Sequence, residues 1–237
     1  MIFDGTQKTI GKGAQAEVVC YQGYAYKIYR PSYPSEWIAF EKKQQQAVNQ
    51  AGLSGVRYYD TDDDHIVKMD LIDGVTLESR AQEGDSGIWE ILADAFRFVH
   101  DKPVEGVDMP PFAVTAVMGL SEEEKKTVMP IIERLSAKME TRICHFDLHF
   151  LNVMIPNNGP DYIIIDWMNA RLAPLVFDYA RTYVIFEEFS KVALDIYVKR
   201  VLPQMWATGV SENDFYDAVK VCRVVRQQEK KEFAGRE

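Results

Sequence analysis

Three oxygen-bearing side chains in two separated stretches of the chain could meet around one divalent cation. The first stretch, residues 144–152, reads CHFDLHFLN and carries Asp147 and Asn152 on a predicted loop ahead of an apolar strand. The second stretch, residues 163–167, reads IIIDW and ends another apolar strand with Asp166. Two antiparallel strands of this length would bring the loop and the strand end together. Carboxylate and amide oxygens suit a hard cation such as Mg²⁺, so the sequence predicts a metal site there.

Two other interpretations of these residues are weaker. The loop residues could merely form a turn and the strand-end aspartate could cap a helix, but all three match jointly in type, spacing and strand context. A zinc site could be built from Cys144, His145 and His149. It would need a fourth ligand, and the sequence offers no convincing partner motif.

A glycine-containing hairpin near the N-terminus could close over phosphate groups. Residues 10–18 read IGKGAQAEV and fit the pattern G-x-G-x-x-A-x-V between two predicted strands. Its small residues are Gly11, Gly13 and Ala16, which would let backbone N–H groups approach phosphate oxygens closely. Glycine-rich hairpins are common, so this match gains weight chiefly from the lysine on the next strand.

Lys27 lies on that strand, in the sequence AYKI, and would carry its positive charge into the interior. A buried ammonium group needs a partner, because desolvation otherwise drives its charge off. Glu41 on the following helix is the predicted partner. Glu36 is the alternative, although it lies near the start of that helix.

The combined pattern resembles the protein-kinase-like fold, in which His-x-Asp-x-x-x-x-Asn precedes an apolar strand that ends in Asp. The form HFDLHFLNVMI with IIDW resembles the aminoglycoside phosphotransferase and choline kinase family. The resemblance implies that Asp147 is the base that takes the proton of an attacking hydroxyl, and that Asn152 and Asp166 hold Mg²⁺. It implies that His145 braces the loop. The family usually has glycine at the position of Phe146, a change that removes no reactive group.

The resemblance extends to nucleotide binding and implies ATP as the phosphoryl donor. Lys27 would contact the α- and β-phosphates beneath the glycine-containing hairpin. The segment VKMDLIDGVTL resembles the family's hinge, where the carbonyl of Asp70 and the amide of Ile72 would recognise adenine. Asp178, in the segment PLVFDYA, would start a helix and accept hydrogen bonds from the catalytic-loop backbone. His149 could face either the substrate or the packing.

The segment between Asp166 and Asp178 favours a small-molecule acceptor over a protein. It has eleven residues, includes Pro174 and contains neither Ser nor Thr, so a peptide platform and a phosphorylation switch both lack room. The resemblance implies an acceptor hydroxyl on a molecule similar to an aminoglycoside, choline or a sugar. Two alternatives stay open: a compact atypical protein kinase, and a catalytically inactive kinase-like module that binds ATP.

These residues need a β-rich part to hold the nucleotide and a helical part to hold the catalytic loop. Alternating apolar stretches predict strands at residues 9–10, 17–21, 24–29, 57–60 and 65–71. Ser35 is expected to cap one helix that ends near Gly52. Further patterns predict helices at 89–100, after Ser121 and from Asp178 onward, and short strands at 153–155 and 162–165.

The expected fold is therefore α+β, bilobal and protein-kinase-like, with a β-rich N-lobe containing one helix and a mainly helical C-lobe. The boundary is expected just after Leu71 and Ile72. Residues 1–72 would form the nucleotide-binding lobe, and residues 73–237 the catalytic and acceptor-binding lobe.

Charge and composition narrow the class of partner. The 237 residues carry a net charge of −9, which argues against nucleic acid or an anionic membrane surface and is compatible with a cationic acceptor. Glu187, Glu188 and Asp195 would suit an amine, although surface carboxylates more often form a solvated helix face. The sequence shows no bilayer-spanning apolar run, no signal peptide and only three scattered cysteines, so a cytoplasmic protein with reduced thiols is expected.

Overall fold

The N-terminal part of the chain forms a five-stranded antiparallel sheet in the order β1-β2-β3-β5-β4. The structure is a computed structural model and describes residues 3–13 and 15–234, so Ala14 of the glycine-containing hairpin lies outside the described residues. The strands are Lys8–Lys12 (β1), Ala16–Tyr21 (β2), Tyr24–Tyr29 (β3), Tyr58–Tyr59 (β4) and Ile66–Asp70 (β5). All five predicted strands are present, and β4 is shorter than expected.

One helix, Ser35–Gln50 (α1), packs its buried Ile38 into a core cluster of this sheet. The prediction that Ser35 caps the helix is wrong. Pro34 occupies the cap position with an extended backbone, and no side chain caps the helix there. Proline already has a φ close to the helical value, so the chain enters the helix directly after it. The helix ends, as predicted, just ahead of Gly52, whose φ of 68° favours glycine.

The remainder of the described chain is mainly helical. Its helices are Leu77–Gln82 (α2), Ile88–His100 (α3), Phe112–Thr115 (α4), Glu122–Lys138 (α5), Leu175–Phe189 (α6), Lys191–Arg200 (α7), Leu202–Trp206 (α8) and Glu212–Ala234 (α9). Ser121 and Glu124 form the capping box predicted for α5. Helix α6 begins at Leu175, so the prediction that Asp178 starts it is wrong. Asp178 lies inside the first turn, where its carboxylate faces another segment of the chain instead of capping its own helix.

Two small sheets flank the predicted catalytic loop. One contains Gly74–Thr76 (β6), Val153–Pro156 (β8) and Ile163–Ile164 (β9) in the order β6-β8-β9, and the other pairs Thr141–Cys144 (β7) with Arg171–Pro174 (β10). The predicted strands near 153 and 163 pair antiparallel, as expected. Gly74 is required by the close pairing of β6 with β8, because an added Cβ would collide with the backbone carbonyl of Ile155.

This architecture confirms the predicted α+β class, with a β-rich N-terminal part that contains one helix and a mainly helical remainder. The proposed lobe boundary at residue 72 falls between β5 and β6 and stays a prediction. The largest core cluster lies in the helical part and includes residues on both sides of the catalytic loop, such as Ile143 and Val153. Within the described ranges, no helix combines the length and apolar character needed to cross a membrane.

Candidate active site

His145 links the catalytic loop to the strand that carries Asp166. Its Nδ1 accepts a hydrogen bond from the amide of Asp147 at 3.2 Å, and its Nε2 lies 3.0 Å from the carbonyl of Ile165. Nε2 therefore carries the proton and donates to that carbonyl. Burial lowers the pKa of His145, which keeps the ring neutral in this arrangement. The side chain thus holds two distant stretches in register, as expected for a bracing residue.

Asp178 holds the same loop from the opposite side. Its carboxylate accepts the amide of Phe146 at 2.7 Å and the amide of His145 at 3.1 Å, and it also contacts His100 Nε2 at 2.9 Å. The carboxyl group is fully buried. A buried carboxylate is stable only with such partners, so these contacts fix both the loop and the start of α6.

Phe146 occupies an unusual backbone conformation at the centre of the loop. Its φ is 60°, in the left-handed region that favours glycine and is strained for a bulky residue. The ring is buried and stacks on Phe112 with a centroid distance of 4.5 Å. Glycine would adopt this backbone conformation freely, and in this chain the aromatic packing of Phe146 offsets the strain.

Asp147 is oriented by two neighbours on the loop. The Nδ2 group of Asn152 donates to the Asp147 carbonyl at 2.8 Å and to its Oδ2 at 3.0 Å. His149 Nε2 lies 3.7 Å from the same Oδ2, so His149 faces the carboxylate. Burial raises the pKa of Asp147, but the neighbouring His149, Arg181 and His145 outweigh this effect and hold that pKa well below its usual range. Asp147 is therefore ionised at neutral pH.

Lys27 reaches the site from β3 and connects two carboxylates. Its Nζ lies 2.7 Å from Glu41 Oε1 and 3.7 Å from Asp166 Oδ1. Glu41 is buried and also accepts the Tyr29 hydroxyl at 2.6 Å, whereas the alternative partner Glu36 is exposed. Burial lowers the pKa of Lys27, but Asp166 and Glu41 outweigh it and raise that pKa well above its usual value.

Asp166 and Asn152 have the free oxygens that a metal site needs. Asp166 lies at the end of β9 with a φ of 61°, and its side chain is 43% exposed. Asn152 uses its Nδ2 on Asp147, and no described residue donates a hydrogen bond to its Oδ1 or to the Asp166 carboxylate. One carboxylate and one amide oxygen suit Mg²⁺. The zinc alternative fits poorly, because both His145 nitrogens are engaged by the backbone.

A cleft of about 820 Å³ lies between the catalytic loop and the helical part. Asp147 and Asp166 both line it, together with Met168 and Arg171. Its far wall is the C-terminal half of α9, from Val225 onward, for which the sequence offered no recognisable motif. The two carboxylates on which the predicted chemistry depends therefore face one shared space.

The predicted phosphate-covering hairpin contacts this cleft through a residue that the motif did not single out. Gln15 lines the cleft, whereas the Ala16 side chain is buried in the sheet core. The Gly13 amide donates to the Ala16 carbonyl at 2.9 Å. An added Cβ would meet its nearest atom at an ordinary van der Waals distance, 3.6 Å at Gly11 and 3.5 Å at Gly13. Space in the described structure therefore permits small side chains at both glycine positions.

The two hinge residues lie apart from the large cleft. Neither Asp70 nor Ile72 is among the residues that line it. The Asp70 carboxylate instead accepts the Tyr59 hydroxyl at 2.8 Å and the Arg57 amide at 2.9 Å. This orients the strand end that leads towards β6, and the adenine contacts stay a prediction.

Sequence matching decides the family. A sequence model described as the phosphotransferase enzyme family matches residues 6–209. The chain belongs to the phosphotransferase enzyme family. This confirms the family predicted from the catalytic-loop motifs, and the chain is accordingly a phosphotransferase. No curated protein matches it by sequence.

Solved structures of phosphotransferases have a similar fold. A thermostable mutant of aminoglycoside phosphotransferase APH(4)-Ia has a TM-score of 0.65 at 10% identity, covering 97% of this chain and 89% of that chain. Choline kinase LicA from Streptococcus pneumoniae has a TM-score of 0.61 at 16% identity, covering 95% and 84%. Ethanolamine kinase from Plasmodium vivax has a TM-score of 0.57 at 14% identity, covering 94% and 70%. At such low identity these likenesses establish the fold alone.

Proposed function

We propose that this phosphotransferase moves the γ-phosphoryl group of ATP to a hydroxyl group of a small molecule, with Asp147 as the base. The observation that carries the proposal is the shared cleft, in which Asp147 and Asp166 face one space and Lys27 lies 3.7 Å from Asp166. Solved relatives in fold were crystallised with AMP-PNP and hygromycin B, and with AMP. Those complexes support a nucleotide donor for this chain.

The donor end of the site would be formed by the N-terminal sheet, residues 1–72. Lys27, held by Glu41, would contact the α- and β-phosphates, and the hairpin that contains Gly11 and Gly13 would cover the phosphate groups. Because Glu41 anchors the ammonium group, Lys27 stays charged despite its burial. Adenine would bind at the hinge through the backbone of Asp70 and Ile72.

Asn152 and Asp166 would hold Mg²⁺, which would neutralise charge on the phosphates. Asp147 would accept a hydrogen bond from the acceptor hydroxyl and align its oxygen with the γ-phosphorus. The new oxygen–phosphorus bond would form as the bond between the γ-phosphorus and the bridging oxygen breaks, and that electron pair would leave with ADP. The hydroxyl proton would pass to Asp147. A weakly basic carboxylate suits this task, because phosphoryl transfer depends mainly on positioning and charge stabilisation.

A small acceptor fits the short path between the metal-site strand and α6. After Asp166 the chain makes one 3₁₀ turn, Trp167–Asn169, and then pairs β10 with β7 before α6 begins. The 3₁₀ turn and β10 use most of this described segment, so it has too few residues left to support an extended peptide. The structurally similar proteins include a choline kinase, an ethanolamine kinase and a phosphotransferase crystallised with hygromycin B. They support an aminoglycoside-, choline- or sugar-like alcohol as the starting class for this chain.

The direct test is a phosphotransfer screen with Mg²⁺ and ATP against alcohols, aminoglycosides, sugars and peptides. The expected result is transfer to at least one small alcohol, with ADP and phosphorylated acceptor formed in equal amounts. Each hit should lose its signal when the deoxy analogue replaces it. Tight binding of ATP without transfer to any acceptor would favour an inactive nucleotide-binding module, and transfer to peptides alone would favour a protein kinase.

A further inference from the structure

A small chamber opens beside the catalytic loop and is distinct from the phosphate end of the cleft. Its volume is about 70 Å³, well above the ~10–15 Å³ that one water molecule needs. Phe146, which precedes the proposed base, forms part of its wall. Arg171, Thr115 and Glu229 line both this side chamber and the large cleft, so the two spaces adjoin.

Arg181 brings a buried charge to the side chamber. The residue is 3% exposed, and its Nη2 donates to Glu229 Oε2 at 2.6 Å. Its Nε is buried and has no hydrogen-bond partner among the described residues. A buried N–H donor without a partner is unfavourable, so Arg181 has hydrogen-bonding capacity that Glu229 alone does not satisfy. Arg181 is also close enough to Asp147 to shift its pKa.

Arg171 brings a second guanidinium group without a dedicated carboxylate. Its nitrogens donate to the Thr115 hydroxyl and to the carbonyls of Met168 and Ala170, at 2.7 to 3.2 Å. Among the described residues, none accepts a hydrogen bond from its Nη2, no carboxylate lies within ion-pair distance, and the group lies over the Phe40 ring at 5.2 Å. Burial lowers the pKa of Arg171 to about 10 against the opposing charge of Glu229. The group is held in place by neutral acceptors and keeps unused donor capacity.

The charges of the residues that line the side chamber do not balance. Two guanidinium groups line the side chamber with a single carboxylate, Glu229, and that carboxylate also contacts Arg226 at 3.5 Å. The acidic residues that could have received an amine are occupied elsewhere. Glu187 pairs with Arg223, Glu188 with Arg226 and Lys230, and Asp195 with Lys191. The side chamber therefore has an excess of positive charge.

We infer that the acceptor carries an anionic oxygen group, a carboxylate or a phosphate, which binds in the side chamber between Arg171 and Arg181 while its hydroxyl faces Asp147. This inference rests on the proposed function and narrows its substrate class to hydroxy acids or phosphorylated alcohols. Guanidinium groups recognise such oxyanions through paired N–H donors. The hydroxyl group and the anionic group must be close together on the acceptor, because Phe146, which lines the side chamber, directly precedes the proposed base Asp147.

The test uses acceptors matched in skeleton and different in charge. One series is glycolate, glycolamide and ethanolamine; the other is galacturonate, galactose and galactosamine, with galactose phosphate as the phosphate form. The measurements are kcat/KM for phosphotransfer and, without nucleotide, the shift in melting temperature caused by each compound. The kcat/KM of the anionic compound should be about tenfold or more above that of its neutral partner, mainly because its KM is lower. A tenfold difference corresponds to ~1.4 kcal/mol. The better of carboxylate and phosphate identifies the oxyanion.

Arg171→Gln should make the anionic and the neutral acceptor more alike in both measurements: the ratio of their kcat/KM values, and the ratio of the melting-temperature shifts that they cause, should both fall towards one. The matched control is Arg200→Gln, which removes an exposed arginine paired with Glu90 and should keep the ratio. Preference for a neutral or cationic member, or a ratio that survives Arg171→Gln, would overturn the inference and leave the proposed function standing. Anion-dependent stabilisation that Arg171→Gln removes, without transfer to any acceptor, would support the anion site and contradict the proposed function.

Discussion

Phe146 allows the backbone of the catalytic loop to be tested by a comparison of glycine with alanine. Its φ of 60° is unfavourable for every residue with a Cβ, and its buried ring stacks on Phe112. Removing such a ring lowers the free energy of unfolding by about 3–5 kcal/mol. Phe146→Ala would also retain the left-handed penalty of about 1–2 kcal/mol, which glycine avoids. Phe146→Gly instead costs ~0.5–1 kcal/mol of stability, because the unfolded chain gains conformational entropy at a glycine. Phe146→Gly should therefore be the more stable variant, by roughly 0.5–1 kcal/mol.

Urea denaturation of the two variants measures this difference directly. Phe112 provides the matched control, since it contacts the same ring from the start of α4, where φ is not positive. There the usual order should return, with Phe112→Ala more stable than Phe112→Gly by about 1 kcal/mol. If Phe146→Gly were less stable than Phe146→Ala, the strain assigned to this loop would be refuted.

Three further predictions concern the groups around the site and a distant ion-pair cluster. Lys27→Ala should raise the KM for ATP about tenfold or more, because the charge held beside the phosphates is lost; steady-state kinetics measures it. Asp178→Asn should lower the free energy of unfolding by about 2–3 kcal/mol, because two loop amides and His100 lose a charged acceptor; urea denaturation measures it. Hydrogen bonds from Lys138 and Ser211, with Arg134, hold the pKa of Asp214 well below its usual value. Its contribution to stability is therefore complete above the unfolded pKa of about 3.9 and lost as the pH falls further, so Asp214→Asn should flatten the acid limb of stability against pH.

The Lys27 and Asp178 predictions each have a control elsewhere in the chain. Lys68→Ala removes a lysine that lies over the Tyr24 ring on the neighbouring strand, and should leave the KM for ATP unchanged. Asp101→Asn changes an exposed aspartate and should alter stability by less than about 0.5 kcal/mol. An unchanged KM in Lys27→Ala would remove Lys27 from phosphate binding. An acid limb that stays equally steep in Asp214→Asn would contradict the assignment of that carboxylate.

Local sequence patterns were sufficient to predict those strands and helices whose packing or pairing partners are near in the sequence. Strands β2 and β3 follow each other through a tight turn, in which Gln22 and Gly23 both have positive φ. The Lys27 partner was also predictable, because an interior ammonium requires a carboxylate and α1 follows the strand directly. The same reasoning correctly preferred Glu41 to Glu36 as the contact.

The elements that were missed depend on contacts between distant segments. Strands β7 and β10 pair across the whole catalytic loop, and each has only four residues. The cleft wall formed by α9 carries no motif, since its lining residues are defined only by how the helix packs against α6. Arg171 and Arg181 resemble ordinary arginines in the sequence. Only their burial and their unused N–H donors distinguish them.

The most direct measurement for the proposed chemistry is phosphoryl transfer by Asp147→Asn, with Mg²⁺ and ATP and an acceptor found in the screen. The substitution keeps the shape of the side chain and removes the carboxylate that would take the hydroxyl proton. The rate of transfer should fall by ~10²–10⁴-fold while ATP binding is retained. The control is Asp195→Asn, which changes an exposed aspartate on α7 and should leave the rate of transfer unaltered. Transfer by Asp147→Asn at the unaltered rate would contradict the role of Asp147 as the base.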